Sequence, residues 1–285
     1  MTYTTGNVFG RGNSAGIPSS KGEAPQDKSA SLKAAHLRRL NNPMAPVNLR
    51  PDSVTQGIKR RYEISVLLDD GRIVEQEHVA PAEFFLEDIC ACFGRGTLIA
   101  TPMGQTSIED LTPGDKVKTR DNGEMTLRWK SACQFGGPNM QGEADSLPIR
   151  IKADALGDLR PAQDLIVSPR FRVLSNHPSC QALFGSPEAL APAIDLLDGD
   201  TILQVRPPEA LTFYNLMFDS HQIIQANGLD TESYHPGNFG VSVMTLEMQH
   251  HLRLMFPHLD GDLGRFGRTV RPILKGFEAE VLRVG

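Results

Sequence analysis

The chain has 285 residues, of which 40% are hydrophobic and 22% charged, so it is long enough to bury the core of one large domain or two modest ones. No apolar run approaches the ~20 residues that a bilayer-spanning helix needs, and we therefore expect no transmembrane segment. The four cysteines are too few for a disulfide scaffold, and Cys90 and Cys92 lack the two-residue gap of zinc knuckles, so we expect no metal site and no cofactor.

Charge is distributed unevenly along the chain. Residues 1–61 hold ten Lys/Arg and three Asp/Glu, a net charge of +7, and the remainder carries −12. The basic segment is rich in Gly, Pro, Ser and Asn, which predicts disorder. A solvated tail without a partner is the favoured interpretation, with contact to nucleic acid or an anionic surface as the alternative. The N-terminus lacks the pattern of a secretory signal, so we expect a cytoplasmic protein or export by a non-classical route.

From Tyr62 onward the pattern is that of a mostly-β protein. Two β-type runs meet at Asp70-Gly71, a strong hairpin signal, and a connector follows as far as residue 91. Short runs of Val, Ile, Leu and Phe at alternate positions then predict strands separated by tight turns; they include GTLIAT, LPIRIKA, DLIVS, FRVLS, TILQVR, FYNLMF and HQIIQA. One amphipathic helix is predicted late, within 242–256, with Val243, Leu246, Leu252 and Met255 on its apolar face.

An internal repeat suggests that this β domain has two related halves. The phrase DLxxGDxV at 110–117 recurs as DLxxGDxI at 195–202, displaced by 85 residues, and each copy precedes a predicted strand. A spacing this wide with only two copies is not that of a solenoid. The two Gly-Asp turns are therefore expected to begin matching strands, with Asp115 and Asp200 capping the turns.

Three blocks of the sequence resemble the Hint (hedgehog/intein) domain family, and most closely its bacterial intein-like branch. They are CFGRGTLIAT at 92–101 with its continuation to Val117, DLIVSPRFRVL at 164–174, and the closing block at 221–233. The resemblance implies an all-β horseshoe with pseudo-two-fold symmetry. We therefore expect a disordered basic segment at 1–61, a hairpin and connector at 62–91, and a Hint domain at 92–285 whose core covers about 92–233.

The resemblance also implies a self-processing reaction. Cys92 would attack the preceding carbonyl through a five-membered ring and convert the Ala91–Cys92 amide into a thioester, an autocatalytic N–S acyl shift. Ser168 would hydrogen-bond the scissile carbonyl, and His221 would activate the acceptor, which is water or a small nucleophile. Asp219, two residues before His221, is a candidate to orient it, with simple solvation as the alternative. The substrate is the chain's own N-terminal segment, which the cleavage is expected to release in a single turnover.

Two positions depart from the family pattern. Phe171 stands where the family has a proton-donating His, and His177 is the nearest candidate to replace it. Glu232-Ser233 stands where an intein has His-Asn, which excludes splicing and leaves cleavage on the N-terminal side. The alternative function is therefore a catalytically degenerate Hint-fold domain with a structural or binding role.

Overall fold

The computed structural model describes residues 59–82, 84–136, 147–235, 245–275 and 278. All of them belong to one compact unit, Pro46–Gly285. The predicted disordered segment lies outside the described residues except for its last three, which already belong to the first strand. The described chain is mostly β, as the sequence predicts.

Sixteen strands form within the described ranges, and we number them in chain order. They are β1 Lys59–Leu67, β2 Ile73–Pro81, β3 Phe93–Gly94, β4 Leu98–Thr101, β5 Gly104–Ser107, β6 Lys116–Thr119, β7 Gly123–Thr126, β8 Trp129–Gly136, β9 Ile149–Ile151, β10 Leu165–Val167, β11 Arg172–Ser175, β12 Ala189–Pro192, β13 Ile202–Gln204, β14 Ala210–Met217, β15 Ile223–Ala226 and β16 Leu229–Glu232.

The strands form two antiparallel sheets. The first has the order β13-β9-β10-β3-β14-β8-β1-β2 and the second the order β12-β11-β16-β15-β4-β5, with β6 joining β15 to β7. The predicted hairpin is confirmed as β1 and β2, and Gly71 turns it with a φ of +84°, a backbone conformation that glycine adopts without strain. This hairpin extends the first sheet through the pairing of β1 with β8.

Three α-helices accompany the sheets in the described part of the chain: α1 Phe84–Cys90, α2 Ser179–Phe184 and α3 Leu246–Met255. The predicted late helix is confirmed as α3, and the Thr245 side chain caps it by accepting the amide of Met248. Leu246, predicted to lie on its apolar face, is instead 84% exposed. The connector after the hairpin contains α1, which the sequence pattern did not predict.

The internal repeat is visible in the order of elements. In each half an antiparallel hairpin, β4-β5 or β11-β12, leads into a short 3-10 helix, Ile108–Asp110 or Ala193–Leu196. A glycine with positive φ follows, Gly114 at +104° or Gly199 at +81°, and then a strand. The correspondence ends there, because β6 pairs with β15 and β7 in the second sheet, whereas β13 pairs with β9 at the edge of the first.

The two turns are also capped differently. Asp115 accepts the amide of Thr112 at 2.7 Å, as predicted. In the second copy Asp198 accepts the amides of Asp200, Thr201 and Ile202, each at 2.8 Å. The prediction that Asp200 caps this turn is therefore wrong, because the side chain two residues earlier already holds these amides.

Two hydrophobic cores meet at the Ala91–Cys92 peptide bond. Cys92 belongs to a core made from both halves of the repeat, together with Phe93, Phe171 and their neighbours. Ala91 belongs to a second core, built by the hairpin, α1, strands β8 and β14, and α3 with the turns after it. The fold thus places the predicted scissile bond where the chain passes from one core to the other.

Candidate active site

The backbone of Cys92 is held from two sides. Its amide donates to the carbonyl of Tyr214 at 3.2 Å, and its own carbonyl accepts the amide of Ser168 at 2.9 Å. On the other side of the peptide bond, the amide of Ala91 donates to the carbonyl of Glu87 at 2.7 Å, as the last hydrogen bond of α1. The Ala91–Cys92 bond is therefore anchored at both ends, by a helix on one side and by strands on the other.

Ser168 follows β10 directly, and the antiparallel pairing of Val167 with Phe93 brings it next to Cys92. Both Cys92 and Ser168 are buried, at 6% and 5% exposure. Two of the three residues predicted for the site are therefore neighbours in the structure, although 76 positions separate them in the sequence.

His221 lies in a buried polar cluster that also contains Glu232 and Arg172. A carboxylate oxygen of Glu232 accepts from a guanidinium nitrogen of Arg172 at 2.6 Å, and the same oxygen lies 3.4 Å from Nε2 of His221. Glu232 comes from the end of β16 and Arg172 from the start of β11. The ion pair compensates the burial of the Glu232 carboxylate, which is otherwise costly.

The tautomer of His221 follows from its second ring nitrogen. Nδ1 accepts the backbone amide of Val270 at 3.1 Å, so the ring proton resides on Nε2, which faces Glu232. Asp219, the sequence candidate for orienting this histidine, is instead paired with Arg128 at 2.9 Å. The chain therefore orients His221 through the backbone amide of Val270, while Nε2 lies near Glu232 without forming a hydrogen bond.

The charged members of this cluster also act on the Cys92 thiol. Burial raises the pKa of the Cys92 thiol well above its ordinary value; the charges of Glu232 and Asp88 raise it further, and Arg172 lowers it. Burial likewise raises the pKa of Asp88, against the opposing effect of Arg170 and Arg172. Asp88 belongs to α1, on the N-terminal side of the bond.

Phe171 stands at the position where the family resemblance predicts a proton-donating His. It is 2% exposed, its ring lies 4.8 Å from the ring of Phe93 in an edge-on contact, and its amide donates to the carbonyl of Ser168 at 3.2 Å. His177, the sequence candidate for a replacement, accepts the amide of Ser179 through Nδ1 at the start of α2. The His177 ring is therefore hydrogen-bonded within the loop that precedes α2.

A family model for the Hint domain matches residues 91–238. The chain belongs to the Hint domain family. Neither a search of curated proteins nor one of solved structures gave a match. The match begins one residue before Cys92 and includes Ser168, Arg172, His221 and Glu232, whereas Asp88 and Val270 lie outside it.

The chain beyond the Hint match covers the site from one side. Besides the amide of Val270 on His221, the carbonyl of Gly267 lies 3.3 Å from Nε2 of His235, whose ring lies 5.0 Å from that of His221. Burial, and then the neighbouring His221, lower the pKa of His235 to about 4, so this ring is neutral at physiological pH. With this cover in place, His221 and His235 are 5% and 8% exposed.

Metal ligands, disulfides and membrane-spanning helices are the other features to consider in the described residues. Among them, no group of three or more His, Cys, Asp or Glu side chains is arranged to hold a metal ion. All four cysteines are free and buried. Within the same residues, no helix is long and apolar enough to cross a membrane.

Sequence reasoning proposed Cys92, Ser168 and His221 for the site but did not predict the charged residues near them. Glu232 was read only as a residue unable to cyclise, and Arg172 and Asp88 were not considered. An acidic residue in the closing block and a basic one after Phe171 were the available signals. Their pairing depends on the contact of β11 with β16, which a local pattern does not reveal.

Proposed function

We propose that this Hint domain cleaves its own chain at Ala91–Cys92 through a thioester, once per molecule and without splicing. The observation that carries the proposal is the placement of this peptide bond. Hydrogen bonds hold it at both ends, it lies between two hydrophobic cores, and the charges of Glu232 and Arg172 act on the Cys92 thiol.

The first step is an N–S acyl shift. The Cys92 sulfur adds to the Ala91 carbonyl carbon, the C–N bond breaks, and the nitrogen leaves as the amine of Cys92 after it gains a proton. The shift is uphill for a relaxed amide because resonance is lost, so it requires a restrained peptide and a stabilised oxyanion. Ser168, held against Cys92 through its backbone, supplies the hydroxyl that we assign to the scissile carbonyl.

The second step transfers the acyl group to water or a small nucleophile. Water adds to the thioester, the C–S bond breaks, and residues 1–91 then end in a carboxylate while Cys92 regains its thiol. We assign His221 and Glu232 to this step, since a histidine with a fixed tautomer beside a carboxylate is suited to proton transfer. Glu232 cannot form the succinimide that cleavage on the C-terminal side would require.

Cleavage is expected to accelerate with pH. Because the pKa of the Cys92 thiol is raised well above its ordinary value, the thiolate is a minor species at neutral pH. Its fraction, and with it the rate of the acyl shift, should grow about tenfold per unit from about pH 7 to about pH 9. The measurement is the fraction of cleaved chain against time in a series of buffers. A rate that levels off below about pH 8 would show that another group limits the reaction.

Replacing His221 is expected to separate the two steps. In His221→Phe, cleavage by water should slow by about 10²-fold, the lower range for a positioned acid or base. Cleavage by added dithiothreitol should persist, since a thiol attacks the thioester without that base. His177→Ala is the matched control and should change neither rate. Equal loss of both reactions in a folded His221→Phe variant would assign His221 to the acyl shift instead.

The second candidate function is a degenerate Hint domain with a structural or binding role. The observation that favours it is Phe171, a buried phenyl at the donor position, since loss of a positioned acid costs about 10²–10⁴ in rate. Intact mass of the freshly purified chain separates the two functions. Fragments 1–91 and 92–285 support processing, and a single full-length chain that persists on incubation supports the degenerate domain.

A further inference from the structure

We propose that segment 59–91 stays bound after cleavage, so that the reaction yields a nicked complex of two fragments and not a released peptide. The cleavage itself rests on the function proposed above, but the tight association of the two parts does not. The sequence led us to expect release, because it suggested a basic tail and a short connector in front of Cys92.

The first support is the position of β1 inside the first sheet. Strand β1 pairs with β8 over five residues, from Tyr62 opposite Cys133 to Val66 opposite Trp129. The amide of Leu67 extends the contact by donating to the carbonyl of Arg128 at 2.8 Å. Removing β1 would expose the edge of β8, with a row of unpaired backbone groups.

The second support is the shared hydrophobic core. Both parts of the N-terminal segment contribute fully buried side chains, Tyr62, Ile64 and Val66 from β1 and Leu86 and Ile89 from α1. They lie in one cluster with side chains from the other side of the cleavage point, which are Trp129, Phe213, Met217, Met248, Leu252, Met255, Phe256, Leu259 and Phe266. Dissociation would return this apolar surface to water, which is strongly unfavourable.

The third support is a set of polar contacts that cross the cleavage point. The Asn215 side chain donates to the carbonyl of Ile89 at 2.8 Å, only two residues before Ala91. A guanidinium nitrogen of Arg60 donates to the carbonyl of Gln134 at 2.8 Å, and the Gln76 amide donates to the carbonyl of Leu254 at 2.6 Å. These bonds join the hairpin and α1 to β14, β8 and α3, and none of them involves the peptide that is cut.

Through these contacts, segment 59–91 is an integral part of the folded domain. Hydrolysis removes a single covalent link and leaves the strand pairing, the shared core and the side-chain hydrogen bonds in place. The surface formed by β8, β14 and α3 therefore has a defined partner, the fragment that ends at Ala91. We expect the new carboxylate to remain beside the new amine of Cys92.

The test compares native and denaturing separation of the cleaved chain. A tagged full-length chain is allowed to cleave and is passed over a size-exclusion column, and the peak is then analysed by denaturing electrophoresis. We expect fragments 1–91 and 92–285 to elute together and to separate only in denaturant. A fragment 1–91 that elutes alone from the native column would overturn the proposal.

A second arm keeps the test independent of autocleavage. Residues 1–91, with a tag, and residues 92–285 are co-expressed as separate chains that together make up the whole protein. We expect them to co-purify, and Ile64→Asp, at a buried position of β1, to reduce the yield of the complex at least tenfold. Glu63→Ala, on the exposed face of the same strand, is the control and should have no effect.

The outcomes of the two arms are distinguishable. A full-length chain that never cleaves, with co-expressed parts that do associate, contradicts the proposed function and leaves the association established. Co-expressed parts that fail to associate, or an Ile64→Asp fragment that binds as well as the control, overturn the inference whatever the chain does at Ala91–Cys92.

Discussion

Cys92→Ala is expected to abolish cleavage and leave one chain of 285 residues. The reason is that alanine offers no nucleophile to the Ala91 carbonyl, so the acyl shift cannot begin. The intact mass of the variant, incubated beside the unmodified protein, provides the measurement. The expected effect is total, since Ser168 and His221 have no acyl group to act on without the thioester.

The matched control for this prediction is Cys180→Ala. Cys180 is also buried, also free, and belongs to the same hydrophobic core as Cys92, so both variants remove a buried thiol from that core. Only the thiol of Cys92 adjoins the scissile bond, and Cys180→Ala should therefore cleave at the normal rate. Fragmentation that continues unchanged in Cys92→Ala would eliminate the thioester and indicate proteolysis from outside.

Phe171→His is expected to raise the cleavage rate by at least about tenfold. A histidine there would follow Ser168 by three residues, beside the strand of the nucleophile, and would supply a proton to the leaving nitrogen. A fully aligned acid contributes about 10²–10⁴ in rate, so this is the largest increase in the cleavage rate that we expect. The rate is measured from the mass of the two fragments over time.

The same substitution should also cost stability, because Phe171 is 2% exposed and packs edge-on against Phe93. Burying a polar ring without a full set of partners costs about 1–3 kcal/mol of the free energy of unfolding. Phe184→His is the control, since Phe184 packs on the same core from α2. It should lose stability without a gain in rate. A folded Phe171→His variant that cleaves no faster would show that the donor position no longer matters.

The general fold could be predicted because its signals are local. The hairpin follows from Asp70-Gly71, and the repeated Gly-Asp turns mark Gly114 and Gly199, where the backbone has positive φ. Helix α1 was missed because it is seven residues long. Its buried positions, Leu86, Ile89 and Cys90, show helical spacing over barely two turns. A run this short cannot be distinguished from a strand or a loop by its period.

The site could be predicted only where a motif marks it. Cys92 and Ser168 stand in recognisable blocks, and the pairing of β3 with β10 brings them together. The orientation of His221 depends on Val270, 49 residues later and outside the Hint match. Glu232 was present in the closing block, but its contact with Arg172 spans 60 residues. Such contacts depend on tertiary packing and leave no local pattern.

The most direct test of the central claim is to trap the thioester. Freshly purified chain is incubated with a saturating concentration of dithiothreitol or hydroxylamine, and the fragments are analysed by mass. We expect residues 1–91 with the nucleophile attached to the carboxyl group of Ala91, together with a second fragment that begins at Cys92 and carries a free amine. A chain that stays intact, or an N-terminal fragment that ends elsewhere or never carries the nucleophile, would contradict it.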